Sequence, residues 1–275
     1  MAGYSDISSD ALHNLSLMAH IVTSVLENRP VAQDYYELRM AWPSWAPAPL
    51  PGQFLTVRTV DGPVPLLRRP FAFSGFDRAD SAASIIYQRR GHATTLMTAK
   101  RPFDPFDILA PLGNGFPDPK PGRRPILIAG GIGMGPMLFL AERLAQTPYP
   151  GVLIIGARSA QYLPRVVLSR SVQTILCTDD GSAGRKGSAV DVAREEIRHE
   201  GCAPELYLCG PHGMLAAGHA LAEELDAPAW VAMEQTMGCA VGACMGCVVR
   251  VHGGEEYARV CMEGPVFDSR TIVWT

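Results

Sequence analysis

The sequence predicts a multidomain chain: a small antiparallel β-barrel, then an α/β domain on a parallel sheet, then a small C-terminal unit organised by cysteines. Three observations predict this. Short β-rich segments separated by turn residues fill roughly the first hundred positions. After Pro117-Asp118-Pro119-Lys120-Pro121-Gly122 the pattern changes to apolar strands alternating with helices. Four of the seven cysteines then fall between Cys239 and Cys261. The expected boundaries are an N-terminal extension over 1–18, the barrel over 19–117, the α/β domain over 118–227 and the cysteine unit over 228–275.

Bulk composition narrows the function classes. The 275 residues are 47% hydrophobic, ordinary for globular domains with sizeable cores. A net charge of -3 and a pI near 6.2 leave no basic footprint for nucleic acid. An odd number of unevenly placed cysteines argues against a secreted disulfide framework and for a reducing compartment. The first residues carry Asp6 and Asp10 and no basic stretch, so they do not read as a secretory signal. The longest apolar run, 125–141, is interrupted by Gly130, Gly131, Gly133, Gly135 and Pro136, and reads as strand, turn and helix instead of a membrane span. A cytoplasmic, soluble protein is expected.

Within the extension, 10–18 is loosely helical. His20–Leu26, Tyr35–Met40, Gln53–Thr59, Arg69–Ser74, Ala83–Gln88 and Asp107–Ala110 are the expected barrel strands, interrupted by a helix from Ala93 to Lys100. The proline-rich segment 117–122 can neither continue a helix nor join a sheet, and is the linker. Beyond it, strands are expected at Pro125–Ala129, Gly151–Gly156, Ser171–Cys177 and Leu206–Cys209. Helices are expected at Gly133–Leu144, Ser188–His199 and Met214–Glu224. The C-terminal unit should hold strands at Trp230–Glu234, Val248–Val251 and Tyr257–Cys261, a hairpin at Gly253-Gly254, and a closing strand at Thr271–Trp274.

The most specific motif is Cys239-x4-Cys244-x2-Cys247, followed after thirteen intervening residues by Cys261. The first three match the loop spacing of plant-type [2Fe–2S] proteins. A two-iron rhomb needs four thiolates from a loop with small side chains and sharp turns, which Gly238, Ala240, Gly242, Ala243 and Gly246 permit. A structural zinc site or buried thiols are the alternatives, but zinc usually pairs C-x2-4-C knuckles. Cys177 and Cys202 read as structural.

Gly130-Gly131-Ile132-Gly133-Met134-Gly135-Pro136 follows an apolar strand and opens a helix. There glycines let a pyrophosphate approach the helix N-terminus, and a proline suits the first helical turn. Tight packing alone is the alternative. No carboxylate stands at the end of the second strand of this domain; Arg158 does, which leans toward a 2′-phosphate. Cys209 ends a strand at the carboxyl edge of the sheet, where open α/β sheets bind ligands, and either faces a nicotinamide or is a small buried thiol. Asp179-Asp180-Gly181-Ser182 lies at the same edge and reads equally as a turn. In the barrel, Arg69-Pro70-Phe71-Ala72-Phe73-Ser74 combines a guanidinium suited to a pyrophosphate with aromatics suited to a flavin, or is an ordinary core strand. Gly91-His92-Ala93-Thr94 either greets a phosphate or caps a helix, with His92 a cap neighbour.

Taken together, the chain resembles a ferredoxin–NADP reductase-type module with a [2Fe–2S] domain appended. Within that superfamily, Pro65-Leu66-Leu67-Arg68-Arg69-Pro70, Pro111-Leu112-Gly113-Asn114-Gly115-Phe116, Thr178-Asp179-Asp180-Gly181-Ser182, 233–239 and 259–268 resemble the electron-transfer subunits of class 1B dihydroorotate dehydrogenase. The resemblance runs from about residue 20 to the end. It implies FAD in the barrel, NAD at the α/β domain and a [2Fe–2S] cluster on Cys239, Cys244, Cys247 and Cys261. It places flavin contacts on Arg69, Pro70, Phe71 and Ala72, on Ile86, Tyr87 and Gln88, and on Ala93 and Thr94. Gly131, Gly133, Pro136 and Cys209 belong to the nicotinamide side. The family usually has Ser, Arg and Gly where Ala72, Gln88 and Ala93 stand, so the flavin environment departs from its relatives.

Flavin exchanges both one and two electrons, so it would link a hydride carrier to a one-electron cluster. Barrel, sheet and cysteine unit leave no room for an orotate site. The expectation is an electron-transfer subunit of a hetero-oligomer, its partner an FMN-containing subunit that oxidises dihydroorotate during UMP synthesis. The alternatives are a small subunit of a ferredoxin:NAD(P) oxidoreductase or sulfhydrogenase-type complex, and a non-enzymatic nucleotide-sensing or zinc-structured interaction protein.

Overall fold

A computed structural model describes residues 18–166, 171–200 and 203–274. The expected extension and Cys202 lie outside these residues, apart from Met18.

β1 (Ala19–Ala32), β2 (Tyr35–Ala41), β3 (Phe54–Arg58), β4 (Arg69–Asp77), β5 (Ala82–Gln88) and β6 (Pro105–Leu112) close into an antiparallel barrel in the order β1-β2-β5-β4-β3-β6. Alternation sends Ile21, Leu38, Leu55, Phe73, Ile85, Tyr87, Phe106 and Ile108 into a common interior. β1 is longer than its apolar stretch predicts. Its first half pairs with β6 and its second with β2, so one bent strand closes the barrel. Pro30 argues against a continuous strand, but register shifts between Val25 and Glu27 and between Pro30 and Ala32 accommodate it.

The short helix α1 (His92–Thr98) packs on the barrel through Met97. Asn28 holds its C-terminal end: Nδ2 donates to the carbonyls of Met97 (2.9 Å) and Lys100 (3.1 Å), while Tyr87 Oη donates to Asn28 Oδ1 (3.0 Å). Carbonyls at a helix C-terminus lack intrahelical partners, and this chain of bonds supplies them.

The α/β domain is a seven-stranded sheet of β7 (Arg124–Gly130), β8 (Val152–Ala157), β9 (Gln173–Thr178), β10 (Arg185–Lys186), β11 (Pro204–Cys209), β12 (Ala229–Ala232) and, after the hairpin described below, β15 (Val266–Asp268). The order is β10-β9-β8-β7-β11-β12-β15, parallel except for the antiparallel β15 at one edge. Its central strands β7, β8 and β11 are buried on both faces, as a sheet covered on both sides requires. Ile126, Ile128, Ile154 and Leu208 meet α3 (Ala189–Glu200) and α4 (His212–Glu224). Leu127, Leu153, Ile155 and Tyr207 meet α2 (Met134–Leu144) on the other face. That second core continues into Val31, Tyr35 and Ile86 of the barrel, so α2 is the wedge between the domains.

After β12 the chain runs through the cysteine loop to a hairpin of β13 (Val248–Arg250) and β14 (Tyr257–Arg259). Two expectations fail here. Thr271–Trp274 is not a strand: Ser269–Thr271 forms a 3-10 turn, Ile272 makes one isolated bridge to Val251, and Trp274 stacks on His219. Val266–Asp268, not anticipated as a strand, takes the edge beside β12 because burying Val266 and Phe267 there satisfies their backbone as well. The expected Trp230–Glu234 strand ends at Ala232, and Met233 turns to donate its N–H to Pro265 O (2.8 Å).

The C-terminal unit has no separate core. Ala240, Cys247, Val249, Val260, Cys261 and Met262 pack into the core shared by α3, α4 and the sheet. Asn114, just past the last barrel strand, ties this unit to the barrel. Its Nδ2 donates to Glu263 O (2.9 Å) and Val266 O (3.1 Å), and its Oδ1 accepts from Val266 N (3.0 Å). Replacing Asn114 by Ala removes three hydrogen bonds at about 1 kcal/mol each. The expected result is a loss of about 2–3 kcal/mol in chemical denaturation and faster amide exchange across 233–266. Unchanged exchange there would refute the tie.

Candidate functional site

A cleft opens where the barrel, the carboxyl edge of the sheet and the segment leading to the cysteine loop meet. Its deep part, about 230 Å³, is lined by Phe54, Pro70, Phe71, Ala72, Ile86 and Gln88 of the barrel. Gly133 and Pro136 of the βα turn, Cys209 at the end of β11, and Met233 to Gln235 complete it. An outer part of about 830 Å³ adds Arg69, His92, Ala93 and His212, and shares Pro70, Phe71, Arg90 and Thr94 with the first.

The structure therefore gathers Arg69, Pro70, Phe71, Ala72, Ile86, Gln88, Ala93, Thr94, Gly133, Pro136 and Cys209 round one cavity. Tyr87 is separated from them by strand alternation. Ile86 and Gln88 face the cleft, whereas Tyr87 points into the barrel, edge-on to Phe71 at 6.0 Å and stacked on Tyr36 at 5.6 Å. It backs Phe71 from behind. Gly131 lies just outside the lining. His92, expected only as a cap neighbour, reaches the outer part, and Thr94 is the cap: its Oγ1 accepts from Arg90 N (2.9 Å) and Gly91 N (3.2 Å).

Charge is distributed unevenly among the arginines. Arg68 donates to Asp107 Oδ1 (2.7 Å), which also holds His20 (2.9 Å), and Arg89 pairs with Asp34 (2.7 Å). Arg69 donates only to the carbonyl of Leu67 (2.7 Å), and Arg90 has no acidic partner among the described residues. Two guanidinium groups without an ion-pair partner thus line the outer cleft; Arg90 and Glu234 also reach the deep part, whose remaining walls are mainly apolar and aromatic. That combination fits a flat ring system carrying a diphosphate. Arg90, Met233, Gln235 and Met237 were not identified as site residues, because their contribution depends on where the domains meet.

The glycine-rich turn is a close approach. A methyl group on Gly133 would lie 2.0 Å from the carbonyl oxygen of Cys209. The turn after β7 therefore presses directly on the end of β11. Burial, with the negative charge of Glu234 beside it, pushes the Cys209 thiol up to about 12, so it faces the cleft as a neutral thiol.

The four C-terminal cysteines converge in pairs. Cys239 meets Cys244, and Cys261 meets Cys247. Among the described residues, no three His, Cys, Asp or Glu side chains close round a single point. Four thiols on one loop and its hairpin match what two irons require, two thiolates each. Backbone N–H groups point at the sulfurs: Val241 N and Cys244 N at Cys239 Sγ (both 3.4 Å), and Gly242 N at Cys261 Sγ (3.2 Å). Such donors stabilise thiolate charge. Burial pushes the Cys239 thiol up, but these donors outweigh it and hold it down to about 7. Cys261 is more deeply buried, and burial together with Cys247 pushes it up to about 12. Left-handed backbone at Ala240, Gly242 and Met245 forms the loop. Arg259 fastens it, donating to Gly242 O (3.1 Å) and pairing with Glu263. Cys247 and Cys261 are buried, and Cys244 lies at the surface.

Residues 234–273 match the iron-sulfur cluster binding domain of dihydroorotate dehydrogenase B. The electron transfer subunit of dihydroorotate dehydrogenase B (NAD(+)) from Geobacillus thermodenitrificans is 38% identical over 256 residues, covering 91% of this chain and 97% of the relative. That from Desulforamulus reducens is 34% identical over 248 residues, covering 89% and 94%. The chain belongs to the dihydroorotate dehydrogenase B electron transfer subunit family. A solved NADH-dependent reduced ferredoxin-NADP oxidoreductase superposes with a TM-score of 0.80 at 24% identity, over 93% of this chain and 91% of its own. Phthalate dioxygenase reductase gives 0.59 at 17% identity, over 86% and 88%. At these identities the likeness is one of fold: the barrel and parallel sheet are those of ferredoxin reductases.

Substituting Gly133 by Ala should force β11 and the turn apart. Overpacking of this kind costs about 1–3 kcal/mol, and the thermal midpoint should fall by about 5 °C. A midpoint equal to that of the unsubstituted protein would show that the contact is slack.

Proposed function

We propose that this chain is the electron-transfer subunit of an NAD+-linked dihydroorotate dehydrogenase complex in pyrimidine synthesis. An FMN-containing partner oxidises dihydroorotate, and this chain delivers the electrons to NAD+. The observation that carries the reading is the cysteine set: four thiols, two of them with aimed N–H donors and one at the surface, joined by 233–237 to a cleft suited to flavin. Bound at these two sites, FAD and a [2Fe–2S] cluster supply the exchange between one-electron and two-electron transfer.

The chain's own residues bind and orient. Cys239, Cys244, Cys247 and Cys261 are the cluster ligands, with loop N–H groups stabilising charge on Cys239 and Cys261. Pro70, Phe71, Ala72 and Ile86 take the flavin ring, with Tyr87 fixing Phe71. Arg69 and Arg90 take its diphosphate beside Ala93 and Thr94, and Gln88 stays within reach. Gly131, Gly133 and Pro136 shape the nicotinamide nucleotide side, and Cys209 packs there as an uncharged thiol. Ala72 carries no hydroxyl, so the ring contact at that position is limited to backbone and methyl.

Cys244 and Met245 make the cysteine loop the outward face of the C-terminal unit, which is where the partner subunit docks. No helix among the described residues is long and apolar enough to cross a membrane. A cytoplasmic setting agrees with six free thiols among those residues.

Cys244→Ser separates the two halves of the proposal. In the complex it should abolish the iron–sulfur absorbance and dihydroorotate-dependent NADH formation, while NADH oxidation by an artificial dye, which needs only the flavin, persists. Retained dihydroorotate-dependent NADH formation without the iron–sulfur signal would overturn the assignment.

A further inference from the structure

Tyr35 has no part in the site described so far, and its surroundings are unusual. It opens β2 and stands directly opposite Gln88 of β5, so the two share the face that looks toward the α/β domain. It is only 6% exposed. Its ring is buried, and its hydroxyl makes no hydrogen bond within the chain among the described residues.

The hydroxyl is aimed at the glycine-rich turn. A methyl on Gly131, whose φ is +54°, would stand 3.4 Å from Tyr35 Oη. Gly131 begins the 3-10 turn that leads directly into the eleven-residue helix α2, the part of an α/β domain at which nucleotide phosphates gather. Burial pushes the phenol's pKa up, Tyr162 and Asp34 add to that, and Arg158 (just after β8) and Arg90 (just after β5) pull against it; neither arginine has an acidic partner among the described residues. Arg158 instead lies over the ring of Tyr162, 5.1 Å from its centroid.

The seam is held in place by backbone bonds. Gln33 N donates to Gln161 O (2.9 Å), and Arg165 N donates to Val31 O (2.7 Å). The β1–β2 turn of the barrel is thereby anchored against the segment after β8. Packing alone would be served by phenylalanine. A phenol with no partner within the chain, aimed at a glycine turn and within the influence of the unpaired Arg158, is arranged for an anion.

We infer that the barrel contributes to nicotinamide dinucleotide binding: Tyr35 donates a hydrogen bond to the pyrophosphate, and Arg158 neutralises it. The inference rests on the NAD+-linked reading above and makes Tyr35 a positioning and affinity residue that spans the two domains. Pyrophosphate is chosen over a 2′-phosphate because the hydroxyl faces the glycine turn itself.

The test is a calorimetric titration of the FAD- and cluster-loaded complex with NADH and, separately, NADPH, for the unsubstituted protein, Tyr35→Phe and Arg158→Gln. Phenylalanine preserves the shape, so folding is not at issue, and the flavin content of each sample is read from absorbance. A hydrogen bond to a charged group is worth about tenfold or more in affinity. Tyr35→Phe and Arg158→Gln should each weaken NADH binding by about that factor, weaken whatever NADPH binding exists equally, and leave the flavin content unchanged. Unaltered NADH affinity in Tyr35→Phe overturns the inference but leaves the proposed function standing. A loss confined to NADPH reassigns the contact to a 2′-phosphate, and loss of flavin reassigns it to the flavin; either result overturns it. If the unsubstituted complex binds no NADH, the functional reading falls with it.

Discussion

The carboxamide of Asn114 bridges the end of the barrel and the strand that closes the sheet. Through Glu263 O, Val266 O and Val266 N it fixes the chain just after the last cysteine. Asn114 N also donates to Gly264 O (2.8 Å), and Gln53 Nε2 donates to Gly113 O (2.8 Å), so the tie extends back into the barrel. The cleft and the cysteine loop belong to different parts of the chain, and electron transfer needs them held at a constant separation. A short hairpin with four cysteines cannot bury enough apolar surface to hold itself. It therefore shares the core of the sheet and borrows its orientation from the barrel.

The same dependence governs the cleft. Its walls come from the barrel, the βα turn and 232–237, and each is set by contact with another. Gly133 brings the turn against Cys209. Pro265 fixes Met233 by accepting its N–H. Tyr87, inside the barrel, sets the plane of Phe71. Polar groups are concentrated where charge is needed: Arg68 and Arg89 are neutralised in ion pairs, and Arg69 and Arg90 are left open to the cleft. Two guanidinium groups without an acidic partner beside a mainly apolar cavity mark a place for an anionic ligand.

The cysteine loop shows how backbone and side chain divide the work. Glycines and small residues permit the left-handed turns, and those turns aim N–H groups at sulfur. The donors lower the Cys239 thiol against the opposing effect of burial, whereas the more buried Cys261 remains high. One loop thus has a sheltered pair, Cys247 with Cys261, and a pair that reaches the surface through Cys244.

Local chemistry was enough to read the cysteine spacing, the glycine turn, the proline-rich linker and the alternation of strands, because each depends on neighbours a few residues apart. The barrel and the parallel sheet followed from period and punctuation alone. Long-range partners decided the rest. β1 runs through Pro30 because closing the barrel supplies two pairing edges. Val266–Asp268 becomes a strand, and Thr271–Trp274 does not, because only one of them meets the open edge of β12. Tyr87 fell on the wrong side of its strand because a motif names positions and not faces. Arg90 and Tyr35 carried no local signal at all. The sequence by itself determined which cofactor chemistry the chain is equipped for, since ligand type and backbone freedom are written locally. The tertiary structure alone decided which cations stay unpaired and which surfaces meet, since burial and charge pairing depend on residues far apart in the chain.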